Sequence, residues 1–400
     1  MINIETDTFC GAPWFQCRNT NQGQYRACCV IDHNLSEFSG QKFYKFPDTS
    51  VNDWMNSDYM QYLRKNLSNG VKLKECTGCW AREENNILSE RQVINSRIFD
   101  LNGMSPAIIK SYFKNKNNNI FDLLLVADIK LSNSCNFSCL MCNPEDSSQL
   151  YTLWLKNHDK WFVQKELQKN PRYFEVIKEA FVNKDNRNLL VSILDMKPRI
   201  IKLLGGEPLM DEQLIQILSE LSLKQQSQTA LQIITNGSYD LVSVKKRLIN
   251  FKNLTYTISL EGVEQVQDFV RKGSVWHKIE QNIDKYIKIY GTSDLSIHTT
   301  IQALTLFHFN KLLSWAKNKN IRLDFLLLKT PEYLSLEALP PELINNSIQN
   351  LKPFQDSQII NLISNLKKII HNPQRTEQLK QFVSWHNTEW LNTFPEWSAY

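Results

Sequence analysis

Three cysteines lie close together in the segment Ser134-Cys135-Asn136-Phe137-Ser138-Cys139-Leu140-Met141-Cys142, with the spacing C-x3-C-x2-C. A cluster of four irons and four sulfides is normally closed by four cysteine thiolates. Three thiolates leave one iron without a protein ligand, and an open position of this kind can bind a small molecule, as a catalytic zinc site does. Half of a zinc site, completed by a histidine from elsewhere, is the alternative that these three residues leave open.

Residues that could bind a ligand follow several predicted strands. A strand at 128–131 leads into the cysteine loop, and a second, at 199–204, is followed by Gly205-Gly206-Glu207-Pro208. Two adjacent glycines let the backbone approach a ligand closely. Further strands are predicted at 231–234, 256–260, 296–302 and 322–328, and helices at 211–223, 239–250, 275–290 and 308–319. Strands that alternate with helices predict an α/β fold of parallel βα units, here a partial (β/α)6 TIM-like barrel with ligand residues at its carboxyl edge.

This order of motifs resembles the signature of the radical S-adenosylmethionine (radical SAM) family. In that family, the open iron chelates the amino and carboxylate groups of S-adenosylmethionine, and electron transfer from the cluster releases a 5'-deoxyadenosyl radical. The resemblance implies that Cys135, Cys139 and Cys142 bind the 4Fe-4S cluster. It also implies that the segment formed by Gly205, Gly206 and Glu207 holds the amino group of S-adenosylmethionine.

The same resemblance assigns four further residues to cofactor binding. Met141 would lie near the adenine, although simple loop packing explains it equally well. Ser259 and Glu261 would meet the ribose or the sulfonium side, where relatives often have Asp in place of Glu261. Arg271 would pair with the methionine carboxylate in a forked geometry, the alternative being a solvated arginine at a helix end. No residue is assigned a role in catalysis beyond the cofactors. His298 is predicted to be a satisfied core histidine, the alternative being a side chain that faces the barrel interior.

A second group of cysteines occupies the N-terminal part of the chain. Cys76-Thr77-Gly78-Cys79 has the C-x2-C spacing of metal ligands. The order Cys10-Gly11-Ala12-Pro13-Trp14, Cys28-Cys29 and Cys76-x2-Cys79 resembles the twitch domain, a shortened SPASM domain. The resemblance implies one auxiliary 4Fe-4S cluster on Cys10, Cys28, Cys76 and Cys79, with Cys17 or Cys29 as possible replacements. A structural zinc with four cysteine ligands stays open, because spacing separates the two metals poorly.

Composition narrows the class of protein. The chain has 400 residues, a net charge of +5 and nine cysteines. The modest charge is not that of a dedicated nucleic-acid binder, and no apolar run reaches the roughly 18 residues that span a bilayer. The N-terminus lacks the basic and apolar regions of a signal peptide, so we expect a cytoplasmic protein with metal-binding cysteines instead of disulfides.

Three domains are predicted: an auxiliary-cluster domain at 1–120, the barrel at 121–330 and a C-terminal helical segment at 331–400. A polar stretch at 114–119 would link the first two. A long insert at 150–190 follows the cluster loop and could cover the active-site mouth or pack beside it. The aromatic C-terminal tail is predicted to pack against the barrel.

The resemblance suggests the substrate class without naming the substrate. SPASM and twitch relatives mostly modify ribosomally synthesised peptides, so the expected partners are a precursor peptide, a separate small peptide-recognition protein and an electron donor of the ferredoxin or flavodoxin type. Oxidative cross-linking or backbone excision ranks above epimerisation, because no cysteine follows Cys142 to return a hydrogen atom. Oxidation of a sugar or aminocyclitol alcohol and a non-enzymatic cluster-bearing scaffold are the alternatives.

Overall fold

The computed structural model describes residues 6–40, 43–84, 88–101, 124–182 and 186–400. Eight strands form one sheet: Gln16–Asn19 (β1), Tyr25–Arg26 (β2), Val126–Lys130 (β3), Ile200–Leu204 (β4), Ala230–Thr235 (β5), Asn253–Ser259 (β6), Leu295–Ile301 (β7) and Arg322–Leu327 (β8). Their order is β2-β1-β3-β4-β5-β6-β7-β8, and only the pair of β1 with β2 is antiparallel. Strands β3 to β8 are the six predicted parallel strands, and this α/β arrangement is consistent with a partial TIM barrel.

Helices connect and surround the strands. In the N-terminal part and the insert they are Ala12–Phe15 (α1), Val51–Met55 (α2), Asp58–Ser68 (α3), Thr77–Glu84 (α4), Glu90–Leu101 (α5), Ser148–Lys156 (α6), Trp161–Lys169 (α7), Tyr173–Val182 (α8) and Asn186–Asp195 (α9). Between and after the later strands they are Glu212–Glu220 (α10), Leu223–Gln228 (α11), Leu241–Arg247 (α12), Glu264–Val270 (α13), Trp276–Tyr290 (α14), Phe309–Asn318 (α15), Pro341–Leu351 (α16), Ser357–Leu366 (α17), Pro373–His386 (α18) and Trp390–Thr393 (α19). Within the described ranges, none of the helices has the length and apolar character needed to span a bilayer.

The two faces of the sheet differ in burial. In β4, Ile201 and Leu203 are fully buried, whereas Lys202 between them and Leu204 after them are partly exposed. The same alternation recurs in β5, β6 and β7, where every second side chain is buried and its neighbours are half-buried. Successive side chains of a strand point to opposite faces. One face of the sheet therefore belongs to the core, and the other, which we call the open face, keeps contact with solvent.

Strand β1 was not predicted, and it joins the N-terminal part of the chain to the barrel sheet. It pairs in parallel with β3 through Gln16, Cys17 and Arg18. Its sequence, Gln16-Cys17-Arg18-Asn19, is short and has no apolar alternation, which is the signal on which strand prediction depends. The predicted boundary between residues 120 and 121 and the predicted linker at 114–119 lie outside the described residues.

The insert after the cluster loop packs against the C-terminal segment. The ring centroid of Phe162 in α7 lies 5.0 Å from that of Phe382 and 4.8 Å from that of Trp385, both in α18. The C-terminal tail in turn packs on α13, because the rings of Phe394 and Phe269 meet edge to face at 5.0 Å. The aromatic residues of the tail thus serve in packing, as expected from their composition.

Candidate cluster and cofactor site

The cysteine loop follows the carboxyl end of β3. Cys135 and Cys139 are buried and Cys142 is half-buried. Burial raises the pKa of all three thiols, that of Cys139 to about 12. The charges of Cys139, Asp146 and Cys135 raise the pKa of Cys142 further, so the three thiols lie within electrostatic reach of one another. The structure therefore brings the three predicted ligands of the catalytic cluster together.

Backbone hydrogen bonds from two other segments hold this loop. The amides of Ser138 and Leu140 donate to the carbonyl oxygens of Lys272 and Val270, each at 2.9 Å. On the other side, the amide of Glu207 donates to the carbonyl oxygen of Ser134 at 2.7 Å. These are the segments at the ends of α13 and β4 that carry the predicted cofactor residues.

The two glycines after β4 are needed for that contact. A Cβ atom at Gly206 would lie 2.2 Å from the carbonyl oxygen of Ser134, so a side chain there would displace backbone. At Gly205 the backbone has a φ of +135°, and a Cβ atom would lie 2.7 Å from the carbonyl oxygen of Ser132. Only glycine fits both positions without strain.

The carboxylate of Glu207 is hydrogen-bonded to residues at the carboxyl end of β5. Its Oε1 accepts from the hydroxyl of Thr235 at 2.8 Å and from the amide of Leu209 at 3.1 Å, while Oε2 accepts from the amide of Asn236 at 2.6 Å. Burial raises the pKa of Glu207 to about 7, although these hydrogen bonds act in the opposite direction. The carboxylate thus ties the carboxyl ends of β4 and β5 together, and the backbone of this segment faces the cysteine loop.

Arg271 and Glu261 form a buried ion pair above Cys139. The guanidinium makes a forked contact in which Nε and Nη2 donate to the two carboxylate oxygens of Glu261. Nη1 lies 3.8 Å from the Sγ of Cys139. Burial lowers the pKa of Arg271, but the charge of Glu261 more than offsets this, so the net shift is upward. The guanidinium is therefore a fixed positive charge beside the cysteine loop and is not the solvated arginine of the alternative interpretation.

Met141 and Ser259 are the two remaining residues that were predicted to bind the cofactor. Met141 is half-buried and packs against the main hydrophobic core. Ser259 ends β6 on the open face, where its register partner is His298 of β7. Both are placed at the edge of the sheet where the cysteine loop lies, and their contacts with a cofactor stay predictions.

Four of the six N-terminal cysteines are neighbours. Burial raises the pKa of each of these thiols, and mutual charge repulsion adds to the effect between Cys10 and Cys79, between Cys28 and both Cys10 and Cys76, and between Cys76 and Cys79. The structure thus gathers the residues that the C-x2-C spacing and the twitch resemblance predicted together. Cys17 lies on β1, where the charge that acts on its thiol is that of Asp128.

Side chains from α3, α4 and α5 support this N-terminal group. Arg91 donates to the carbonyl oxygen of Phe9 at 2.7 Å and makes a forked ion pair with Glu83. Asn95 accepts from the amide of Gly11 at 2.8 Å. Arg64 is buried without a carboxylate and donates to the carbonyl oxygens of Pro13 and Met55, so burial lowers its pKa to about 10. These contacts hold the turn that carries Cys10.

Cys29 follows Cys28 directly, and after burial its charge is the largest one that raises the pKa of Cys28. The thiol of Cys29 is half-buried, and burial raises its pKa; the charge of Glu90 raises it further, and smaller effects come from the charges of Arg18, Asp128 and Lys202. Those three residues are register partners on the open face of the sheet. Cys29 therefore lies between the N-terminal thiol group and the open face.

The three cysteines of the loop and the four N-terminal cysteines have the ligand chemistry that iron–sulfur clusters require. Each group comprises buried and half-buried thiols, and although burial raises their pKa values, a positive charge, Arg271 in one case and Arg91 in the other, acts in the opposite direction. In the part of the chain that the structure describes, no group of three or more His, Cys, Asp or Glu side chains is arranged as a ready site for a single metal ion.

Comparison with known families agrees with this geometry. Residues 129–311 match the family model described as the radical SAM superfamily. This segment is a radical SAM domain, and its match supports a radical SAM enzyme. The matched segment begins on β3 and ends in α15, so it contains the cysteine loop, the two glycines after β4 and the Arg271–Glu261 pair. No protein with curated annotation matches the chain in sequence.

Several solved structures are similar to this radical SAM enzyme over part of their length. One is native anSMEcpe with bound AdoMet and the Cp18Cys peptide, at 22% identity, 41% coverage of this chain, 48% of that chain and a TM-score of 0.31. A second, with the Kp18Cys peptide, has 17% identity, covers 60% and 61%, and has a TM-score of 0.37. TYW1 with a lysine–pyruvate adduct has 13% identity, covers 58% and 71%, and has a TM-score of 0.31. The chain thus spans about half of the length of the first of these proteins.

Two residues of the enzyme were overlooked or misjudged from the sequence. His298 is not a satisfied core histidine, because its imidazole is half-buried and makes no hydrogen bond to any described residue. Lys202 lies on the same face and was assigned no role. Lys202 is a charged residue in the otherwise apolar strand β4, a signal that was visible in the sequence, whereas β7 contains three other polar residues beside His298.

Proposed function

We propose that this radical SAM enzyme reductively cleaves S-adenosylmethionine and uses the product to modify a ribosomally synthesised peptide by oxidative cross-linking or backbone excision. One observation carries the proposal: two separate groups of buried thiols adjoin the same sheet, one on the loop after β3 and one around β1. Between them lies a polar, partly exposed sheet face on which an extended substrate would find hydrogen-bonding groups.

Specific residues would hold the cofactors. Cys135, Cys139 and Cys142 would bind the catalytic 4Fe-4S cluster, and backbone carbonyl oxygens of the segment with Gly205 and Gly206 would accept hydrogen bonds from the amino group of S-adenosylmethionine. When bound, these cofactors supply the reductive cleavage of the sulfonium. The Arg271–Glu261 pair would contribute a fixed charge and hydrogen bonds at the carboxylate and ribose ends, and Met141 and Ser259 would border the bound nucleoside.

The N-terminal group would hold an auxiliary 4Fe-4S cluster on Cys10, Cys28, Cys76 and Cys79. An oxidative modification removes electrons from the substrate and needs an acceptor, which a redox-active cluster can be and zinc cannot. The mutual proximity of the four thiols supports this ligand set over sets that include Cys17. A structural zinc remains the competing occupant, and metal analysis separates the two.

Epimerisation is a second candidate that one observation favours. It requires a hydrogen donor near the substrate, usually a thiol, and the absence of cysteines after Cys142 argued against one. However, the half-buried thiol of Cys29 is near enough to Arg18 and Lys202, which lie on the open face, for their charges to act on its pKa, so the N-terminal part offers a candidate thiol. Epimerisation therefore stays in competition with the oxidative reactions.

The proposal is tested by reconstituting the enzyme anaerobically, supplying a ferredoxin or flavodoxin, and incubating it with peptides encoded beside its gene. Mass spectrometry should show loss of H2 for a cross-link or loss of a fragment for excision. An unchanged peptide mass in H2O, with one deuterium gained at an α-carbon in D2O, would instead establish epimerisation, and Cys29→Ala should then abolish it. Turnover of a sugar alcohol, with no peptide modified, would refute the proposed substrate class.

A further inference from the structure

Three side chains form a closed ring of hydrogen bonds beside the cysteine loop. Asn136 lies between Cys135 and Phe137 in that loop, and Asn236 and Ser238 follow the carboxyl end of β5. Nδ2 of Asn236 donates to Oδ1 of Asn136 at 2.8 Å, and Nδ2 of Asn136 donates to Oγ of Ser238 at 3.0 Å. The hydroxyl of Ser238 in turn donates to Oδ1 of Asn236 at 2.6 Å. Each member of the ring therefore donates one hydrogen bond to another member and accepts one.

A backbone amide determines the direction of these bonds. The amide of Ser238 donates to Oδ1 of Asn236 at 3.0 Å, and a backbone N–H can only donate. The atom of Asn236 that faces this amide must be an oxygen, so the atom that faces Asn136 is the side-chain nitrogen. Asn136 must then present its oxygen to Asn236 and its nitrogen to Ser238, which leaves the hydroxyl proton of Ser238 for Asn236. The orientation of both side-chain amides thus follows from the hydrogen-bond network.

The ring also completes a set of links among three segments. The amide of Glu207, in the segment after β4, donates to the carbonyl oxygen of Ser134 at 2.7 Å. The carboxylate of Glu207 accepts from the amide of Asn236 at 2.6 Å. The ring supplies the third link, because it joins Asn236 to Asn136 in the same loop as Ser134. Three segments that are linked pairwise cannot shift relative to one another without breaking a hydrogen bond, so the position of Asn136 is fixed.

The residue that the ring holds adjoins a hydrogen bond to sulfur. The backbone amide of Phe137 donates to Sγ of Cys135 at 3.4 Å in a buried position. This N–H belongs to the planar peptide group that Asn136 shares with Phe137, so the placement of Asn136 determines where it points. Burial raises the pKa of Cys135, and the hydrogen bond from Phe137 acts in the opposite direction, as a donor that stabilises the thiolate should.

Other contacts restrain the residues on either side of Asn136. The amide of Cys135 donates to Oγ of Ser148 at 3.2 Å, and the carbonyl oxygen of Phe137 accepts from the hydroxyl of Ser147 at 2.7 Å. Neither of these bonds involves the side chain of Asn136. The ring therefore adds a restraint that they do not supply, at the residue between the thiol and the amide that donates to it.

We propose that Asn136, Asn236 and Ser238 are positioning residues that hold the amide of Phe137 on the sulfur of Cys135 and thereby raise the reduction potential of the catalytic cluster. Hydrogen bonds to the sulfur atoms are among the factors that set the potential of an iron–sulfur cluster. The reduced cluster is more negatively charged than the oxidised cluster, so an N–H donor at a thiolate favours the reduced form. The inference rests on the proposed cleavage of S-adenosylmethionine and is independent of the substrate.

A purely structural role of the ring makes a different prediction. If the ring only stabilised the fold, its loss would lower the unfolding temperature or the iron content, and the clusters that remained would keep their potential. A positioning role predicts that the potential changes while iron is retained. Measurement of the potential therefore separates the two roles.

A redox titration of the reconstituted enzyme, followed by electron paramagnetic resonance, tests the proposal. The signal of the catalytic cluster is identified by its change when S-adenosylmethionine is added, which separates it from that of a second cluster. Ser238→Ala removes the hydroxyl that two bonds of the ring need, and the potential should become more negative. Ser238→Thr keeps a hydroxyl and should restore the potential of wild type. The matched control Asn66→Ala, which removes a half-buried asparagine that is hydrogen-bonded within α3, should leave the potential unchanged.

Variants of Asn136 test whether the ring acts as a unit. Asn136→Ala should shift the potential in the same direction as Ser238→Ala. The double variant should shift it no further than Asn136→Ala alone, because opening the ring at one point already removes the restraint. Shifts that add would show that the two residues act independently and would overturn the proposal. The comparison of Ser238→Ala with Ser238→Thr decides the matter if Asn136→Ala fails to hold iron.

An unmoved potential in Ser238→Ala, with the iron content of wild type, would also overturn the proposal. None of these measurements uses a peptide. An enzyme that modifies no peptide can therefore still show the shift, which would support the ring while refuting the peptide function. Peptide modification together with an unmoved potential in Ser238→Ala would refute the positioning role alone.

Discussion

Cys135, Cys139 and Cys142 lie within one loop, whereas Cys10, Cys28, Cys76 and Cys79 come from three separate segments of the N-terminal part. The catalytic loop is held by backbone hydrogen bonds from the ends of β4 and α13. The N-terminal group is held by side chains, above all Arg91, Asn95 and Arg64. Backbone hydrogen bonds can form with almost any residue type, so the segments that hold the catalytic loop through the backbone are restricted in sequence only where glycine is needed. Side-chain contacts, in contrast, require a particular residue type at each position. The first region is therefore recognisable as a motif, and the second depends on contacts between distant residues.

The largest expected effect comes from removing the catalytic thiols. The triple variant Cys135→Ala, Cys139→Ala and Cys142→Ala should form no 5'-deoxyadenosine under dithionite, because no thiolates remain to hold the catalytic cluster. Cys17→Ala, which changes a buried thiol on β1 outside both groups, is the matched control and should keep the activity. Chromatography of the products measures both. Cleavage of S-adenosylmethionine by the triple variant would contradict the assigned ligands.

Removing the N-terminal thiols should have a narrower effect. Wild type should hold about eight irons in two clusters, and Cys76→Ala with Cys79→Ala should keep about four. This double variant should still cleave S-adenosylmethionine but lose oxidative peptide product, since the electron acceptor is gone. Iron and zinc analysis of anaerobically purified protein measures the difference. One zinc per chain with iron for a single cluster would show that the N-terminal site is structural.

Two glycine variants compare how closely the backbone is packed at the catalytic cysteine loop and at the N-terminal cysteine group. Gly206→Ala places a Cβ atom 2.2 Å from the Ser134 carbonyl oxygen and should lower stability by about 1–3 kcal/mol. Gly78→Ala, within the C-x2-C turn, meets Val30 only at 3.8 Å and should change stability by less than about 0.5 kcal/mol. Urea denaturation and iron content measure both variants. Equal tolerance at the two positions would mean that the close packing of the β4 segment on the cysteine loop is not required.

The smallest effect concerns acid stability near the catalytic region. Burial among aromatic rings lowers the pKa of His386 to about 4 from its ordinary value of 6.5, with Lys272 adding to the shift. A group with a depressed basic pKa contributes stability above its unfolded pKa and loses it as pH falls toward the folded value. Between pH 6.5 and 4, stability should therefore fall by about 1–2 kcal/mol more in wild type than in His386→Gln. Thermal unfolding across this range measures it, and parallel curves for the two proteins would exclude a contribution from His386.

Much of the barrel could be predicted because its signals are local. Six strands and the helices between them follow from apolar alternation and from the turns between them, and the structure has them close to the predicted bounds. The catalytic cysteine loop and the glycines after β4 were likewise visible, since their chemistry depends on short spacing. Strand β1 was missed because its four residues contain no apolar pattern and become a strand only by pairing with β3.

What the sequence alone determined is therefore the class of chemistry and the order of the barrel elements, because thiol spacing and hydrophobic period are properties of neighbouring residues. The tertiary structure decided which side chains meet. It paired Arg271 with Glu261, turned Glu207 toward β5 and placed Lys202 and His298 on the open face, with no ion pair or hydrogen bond to a residue within the described ranges. Each of these outcomes depends on strand register and on packing between residues that are far apart in the chain. The charge state and burial of one residue therefore cannot be inferred from the sequence without knowing its neighbours in space.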